Sequence, residues 1–155
     1  MREIKFRGMT EKGEWKQGLL TFMFGQYAIV NPEDENSVYL IDKETAGQYT
    51  GLKDMNGVEI YEGDILEFED TGEEGYEYLE GYDFINRATV CYENGRFELE
   101  NFVGGDGYVL ESMSNECHEE FMIILNNSKV IGNRFENPEL LKETTKMTDD
   151  NIYLI

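Results

Sequence analysis

Apolar and polar positions alternate with a two-residue period from the first residues of the chain. Ile4 and Phe6 alternate with Lys5 and Arg7, which predicts a short half-buried strand. A turn at Thr10-Glu11-Lys12-Gly13 leads to a second strand around 14–24, and a third is predicted at 26–31. Residues 31–37, NPEDENS, read as a polar loop, and 38–41 as a short strand or extended connector. Within 47–66, GQYTGLKDMNGVEIYEGDIL, turn chemistry dominates. Asp54 can accept from its own backbone two residues on, and Asn56 and Gly57 tolerate positive φ. Tyr61-Glu62-Gly63-Asp64 suits a type II turn with Gly63 at its third position. A strand over 64–69 follows, with Leu66 and Phe68 on one face.

Residues 67–83 contain eight carboxylates and no Lys or Arg, which predicts a mobile loop or a solvated extension of a hairpin. Asn94-Gly95 is the strongest hairpin signal in the chain. A two-residue turn there sets Tyr92 against Phe97 and Val90 against Leu99, with Cys91 and Glu98 on the opposite face. Residues 103–107 read as a glycine-rich connection. The run 121–125, FMIIL, is predicted as a strand buried on both faces, and 129–135 as another. Asn137-Pro138-Glu139 opens a short C-terminal helix with a cap residue, Pro at its first position and an acid in its first turn.

Composition supports a mainly β domain. Aromatic residues make up 13% of 155 positions and there are only two prolines. The longest apolar run, 121–125, falls far short of the roughly 20 residues a bilayer span needs. The basic and acidic residues of MREIKFRG have no apolar stretch behind them, so no signal peptide is expected. Two cysteines without an export signal predict free thiols in a reducing cytoplasm. The net charge of −20 repels phosphate backbones and anionic membrane surfaces. Direct nucleic-acid and membrane binding are therefore not expected; a soluble acidic cytosolic protein is the favoured reading, with a basic host or phage protein partner or mimicry of a nucleic acid's charge the alternatives.

Candidate chemistry is sparse. No Gly-x-Gly-x-x-Gly or Gly-x-x-x-x-Gly-Lys spacing occurs, which removes a phosphate cradle. Cys91, Cys117 and His118 are the only soft ligands, and no CxxC pairs them. Taking Asp70 as the first ligand of a calcium loop puts Gly72 at the third ligand position, so that register fails. Cys117 and His118 are adjacent and would point apart on a strand, a poor nucleophile–base pair. No catalytic residue, metal or cofactor is predicted.

Four segments carry a family resemblance: IKFRG at 4–8, GEW at 13–15 with Gly18-Leu19, ETAGQYTGLKDMNGVEIYEGDIL at 44–66, and IGNRFENPELL at 131–141. In order and spacing they resemble the YopX family, small proteins encoded by phages and prophages of Gram-positive bacteria. Ala46, where the family usually carries Val, and the acidic segment 67–83 depart from its pattern. The resemblance implies a small SH3-like β-barrel, at 44–141, with an N-terminal β-hairpin region at 1–43 packed on it and a tail at 142–155.

Arg7, Asp54, Asn56, Gly57, Gly63 and Asp64 are the signature positions, expected to set the scaffold. For Arg7 and Asp64 the alternatives are a binding pocket and a structural ion pair or backbone clamp, the second favoured. Trp15, Tyr49 and Tyr61 are candidate aromatic contacts for a partner, with core packing the alternative reading. Glu73, Glu74 and Glu77 are candidate acidic contacts. The predicted function is non-catalytic protein binding in a phage or prophage programme, in the host cytoplasm. The alternatives are an acidic nucleic-acid mimic and a metal-assisted hydrolase using Asp and Glu. Homo-oligomerisation is a further expectation, because several short strands leave sheet edges to cover.

Overall fold

The computed structural model describes residues 3–72, 82–104 and 118–142. Ten strands run through them: β1 (Phe6–Met9), β2 (Trp15–Met23), β3 (Gln26–Asn31), β4 (Asp34–Leu40), β5 (Gly47–Lys53), β6 (Glu59–Tyr61), β7 (Asp64–Gly72), β8 (Tyr82–Glu93), β9 (Arg96–Glu100) and β10 (Lys129–Asn133). One α-helix, α1 (His118–Asn126), precedes β10, and 3-10 turns occupy Lys43–Thr45 and Pro138–Leu141.

The strands form two antiparallel sheets, in the orders β4-β3-β2-β1-β5-β6 and β10-β7-β8-β9. The mainly β expectation holds, and no pairing among the described residues closes the sheets into a barrel. β1 pairs with β2 through Phe6↔Gly18 and with β5 through Phe6↔Gln48. The N-terminal region therefore continues into the first sheet instead of packing on it as a separate hairpin.

The hairpin at Asn94-Gly95 forms in the predicted register, with Tyr92↔Phe97, Val90↔Leu99 and Cys91↔Glu98. Asn94 and Gly95 both take positive φ, 53° and 81°, as a two-residue type I′ turn requires. Asp64–Gly72 is longer than the predicted strand. It pairs with β8 as far as Gly72↔Tyr82, so the ends of the expected acidic loop belong to a ladder. Asp70 is buried there and accepts from Asn86 Nδ2 at 2.8 Å, so not all eight carboxylates face solvent. Glu73, Glu74 and Glu77 lie outside the described residues.

Two further expectations are corrected. The polar loop 31–37 shrinks to a tight turn, because β4 begins at Asp34 and pairs with β3 through Asn31↔Asp34. The run 121–125 is helical, not a strand. Phe121 and Leu125, four residues apart, are buried in the core, whereas Ile123 is exposed. Five consecutive apolar residues carry no period, so the face that meets the core decides between helix and strand. The predicted C-terminal helix is the 3-10 turn Pro138–Leu141, and the Asn137 side chain does not cap it.

The core lies between the inner face of the second sheet and α1. Leu66 and Phe68 of β7, Ala88 and Val90 of β8, and Phe97 and Leu99 of β9 meet Phe121 and Leu125 of α1 and Ile60 of β6. Burial of such side chains contributes about 1.5–3 kcal/mol each before entropy is counted.

Candidate functional site

The two sheets meet at the turn Tyr61–Asp64. Gly63 has φ 95°, the left-handed conformation its type II position demands. Its N–H donates to Val90 O at 2.8 Å in β8, and its carbonyl accepts from Arg134 N at 2.9 Å just beyond β10. A Cβ on Gly63 would sit 3.1 Å from Phe135 Cε2. Local turn chemistry thus fixes a junction that touches three parts of the chain.

Asp64 opens β7 beside this junction, with its side chain only 2% exposed. Arg7 reaches it from β1: NH2 donates to Asp64 Oδ1 at 2.7 Å. Asp64 Oδ2 accepts the N–H of Tyr61 at 2.8 Å, closing the turn. The Arg7 guanidinium lies 4.6 Å from the Trp15 ring centroid and 4.9 Å from that of Tyr61. Such contacts are each worth about 0.5–2 kcal/mol. Burial pushes the Asp64 carboxyl above its ordinary range, while Arg7 and the Tyr61 N–H act in the opposite direction.

Segment 131–141 completes the cluster. Trp15 Nε1 donates to Glu136 Oε1 at 2.7 Å, and Asn133 Nδ2 donates to the same oxygen at 2.9 Å. Asn133 Oδ1 in turn accepts from the backbone N–H groups of Phe135 and Glu136. Hydrogen bonds from Asn133 and Trp15 hold the Glu136 carboxyl below its ordinary value. Residues from all four signature segments converge on Arg7.

Asp54 forms a second clamp. Its Oδ1 accepts from Asn56 N and Val58 N at 2.8 and 2.9 Å, and its Oδ2 accepts from Val130 N at 2.9 Å. Asn56 contributes backbone, and its exposed residue position leaves the clamp to Asp54. Gly57 closes the turn with φ 81° and donates to Asp54 O at 3.0 Å. Arg7, Asp54, Gly63 and Asp64 therefore act as locks between distant segments, while Asn56 and Gly57 shape the local turn.

The aromatic contact candidates are placed differently from expectation. Tyr49 and Tyr61 are 5% and 2% exposed, and their rings face each other across β5–β6 at 5.4 Å. Lys5 covers Tyr49 while bonding Glu59 at 2.6 Å, and Tyr61 OH donates to Glu59. These two tyrosines are interior packing. Trp15 is half-buried, with one face on Arg7 and its ring 6.2 Å from Phe135.

Exposed apolar surface instead gathers on β2–β4. Strand alternation and register put Leu20, Phe22, Tyr27 and Tyr39 on one face. Phe22 is 61% exposed and meets Tyr27 edge-on at 5.1 Å, while Phe24 at the adjoining turn is 89% exposed. Lys16 lies over Tyr39 at 4.4 Å. A depression of about 320 Å³ borders this face, lined by Leu20, Tyr27, Lys43, Glu44 and Ala46. Sequence reading missed this surface because alternation predicts which residues share a face, not whether another layer covers it. Asn133 and Glu136 were also missed, although both stand in the quoted segment IGNRFENPELL.

No helix among the described residues is long and apolar enough to cross a membrane. No curated protein matches the chain. Among solved structures, it is similar to the crystal structure of protein EF1440 from Enterococcus faecalis, at 25% identity and a TM-score of 0.48. That similarity covers 92% of this chain and 100% of the other. The YopX protein family matches residues 5–142, a stretch that holds every residue of the Arg7 cluster, and the chain belongs to the YopX family.

Proposed function

We propose that the protein is a non-catalytic protein-binding module, acting in a phage or prophage programme in the cytoplasm of a bacterial host. The observation that carries the reading is the exposed aromatic face of β2–β4 beside the depression. Large apolar side chains gathered on one face, with a bordering hollow and a charged rim, are the usual anatomy of a contact surface. Phe22 and Tyr39 are its anchors, and the depression takes an apolar side chain of the partner. The Arg7–Asp64 cluster supports the same reading from the other side. Its cation is paired with Asp64 and covered by the Trp15 and Tyr61 rings, and it holds the sheet that presents the face. On this reading the two sheets joined at Gly63 are an opened form of the family's SH3-like barrel.

Immobilised protein should retain a specific host or phage protein, and Phe22→Ser with Tyr39→Ser should weaken that purified complex by about 2 kcal/mol or more. Both side chains are exposed, so circular dichroism should stay unchanged and the melting midpoint should fall only by the modest loss of the Phe22–Tyr27 and Lys16–Tyr39 contacts. Equal affinity of parent and double variant would refute the placement of the surface.

A second reading is carried by the net charge of −20: an acidic decoy that occupies a nucleic-acid-binding protein. It predicts competition with DNA or RNA for a basic partner, with association slowing as salt rises. Affinity indifferent to salt would exclude it and leave the aromatic face as the determinant.

A further inference from the structure

The β8–β9 hairpin carries a donor cluster apart from the Arg7 site. Its register pairs Thr89 with Glu100, Cys91 with Glu98 and Glu93 with Arg96. Alternation puts these six side chains on the face turned away from Val90, Phe97 and Leu99 of the core. There, Cys91 Sγ and one carboxylate oxygen each from Glu93 and Glu100 lie within 4.8 Å of one another. We propose that Cys91, Glu93 and Glu100 form a site for a divalent cation of borderline softness, with Zn²⁺ the closest chemical match.

The donor set is one sulfur and two carboxylate oxygens. Calcium and magnesium favour all-oxygen shells, and copper(I) favours sulfur-rich ones, whereas zinc accepts this mixture. Donor atoms within 4.8 Å of one another can share one ion at zinc–ligand distances of about 2.0–2.3 Å, and Glu93, exposed, and Glu100, half-buried, have room to adjust.

An independent sign comes from Thr89. It is fully buried, and its Oγ1 has no hydrogen-bond partner among the described residues. Buried unpartnered hydroxyls are uncommon, and this one stands directly across from Glu100. A Glu100 carboxylate turned onto a cation can accept from Thr89, the outer-sphere contact that ligating carboxylates usually have.

The surrounding charges also fit. Arg96 Nε is engaged by Glu98 at 2.7 Å, on the same face. Arg134 approaches Glu100 only to 3.7 Å, so a dication displaces a loose contact. The Cys91 sulfur sits on the same face as the carboxylates of Glu93, Glu98 and Glu100, a field that favours a cation, and a free thiol carries a proton at neutral pH. Binding replaces that proton: the S–H bond breaks, the sulfur pair forms the metal bond, and one proton leaves to solvent. Three protein donors leave a fourth position for water.

The test uses the full chain carrying Cys117→Ser, which removes the other thiol, and Co²⁺ as a spectroscopic stand-in for Zn²⁺. A thiolate-to-cobalt charge-transfer band should grow to one cobalt per chain, with one proton released, and Zn²⁺ should abolish it. Cys91→Ser should remove the band. Thr89→Val should weaken binding about tenfold, and Glu93→Gln or Glu100→Gln by more than that. Glu93 is exposed, so Glu93→Gln should keep the parent melting midpoint and stays informative if Cys91→Ser fails to fold. Absence of the band in the Cys117→Ser protein would overturn the site. So would cobalt binding that survives Glu93→Gln and Glu100→Gln together, which is adsorption to an acidic surface.

Discussion

Asp64→Asn keeps the shape of the side chain and an oxygen for the Tyr61 N–H, and removes the charge that faces Arg7. The Asp64 side chain is 2% exposed and that of Arg7 12%, so the cation left behind is barely solvated. Removing one member of a buried pair costs about 3–5 kcal/mol. Part is recovered, because the Trp15 and Tyr61 rings still face the guanidinium. Little more is available, since Arg7 Nε already lacks a partner among the described residues. The expected loss is about 2–4 kcal/mol, a large share of the 5–15 kcal/mol typical of a domain. Urea unfolding followed by the fluorescence of Trp15, the only tryptophan, reads it directly. With a slope of about 2 kcal/mol per molar, the midpoint should fall by about 1–2 M with the slope unchanged. Arg7→Met in the same chain should restore part of the loss, because it removes the stranded charge. A loss under about 1 kcal/mol, or a double variant no more stable than Asp64→Asn, would refute the reasoning.

Four other perturbations test neighbouring claims. Gly63→Ala combines positive-φ strain with the close Phe135 ring, and should lower thermal stability by about 1–3 kcal/mol; an unshifted midpoint contradicts the junction. Gly95→Val puts a β-branched residue at φ 81° and should cost at least about 1 kcal/mol in a chemical melt. The Glu136 carboxyl is held below its ordinary value in the folded chain. Its stabilising effect is therefore complete above the ordinary glutamate range and disappears as pH falls through the lowered value. Trp15 fluorescence should titrate below pH 4.5, and Glu136→Gln should abolish that step. In a Cys117→Ser background, Cys91 should resist thiol reagents at pH 8 until the chain is unfolded, because burial and nearby carboxylates suppress its thiolate; rapid native labelling would contradict this.

Features set by neighbours in sequence were legible before the fold was known. Asn94-Gly95 dictates its turn and hence the Tyr92–Phe97 register, and Gly63 declares a positive φ through its place in Tyr61-Glu62-Gly63-Asp64. Asp54 likewise accepts from Asn56, two residues on. What depended on distant segments was not legible. FMIIL became a helix because the second sheet offers a surface to Phe121 and Leu125. Tyr49 and Tyr61 went inside because Lys5, just before β1, and Glu59 of β6 close over them. The Cys91, Glu93 and Glu100 cluster crosses two strands, so no spacing rule for ligands along one segment detects it.

The hydrogen bond from Trp15 to Glu136 joins residues 121 positions apart. It therefore sets a schedule for the growing chain. On the ribosome, β1 through β4 emerge long before the acceptor for the indole exists. At about 5–20 residues per second, the wait is on the order of ten seconds. During that interval the local β2–β3 and β3–β4 hairpins can form and Asp64 emerges to meet Arg7, but the Trp15–Glu136 latch is still missing. Completion of the Arg7 cluster is thus among the last events of folding, and a message cut before codon 133 would yield a chain that keeps the Arg7–Asp64 pair but has no partner for the Trp15 indole.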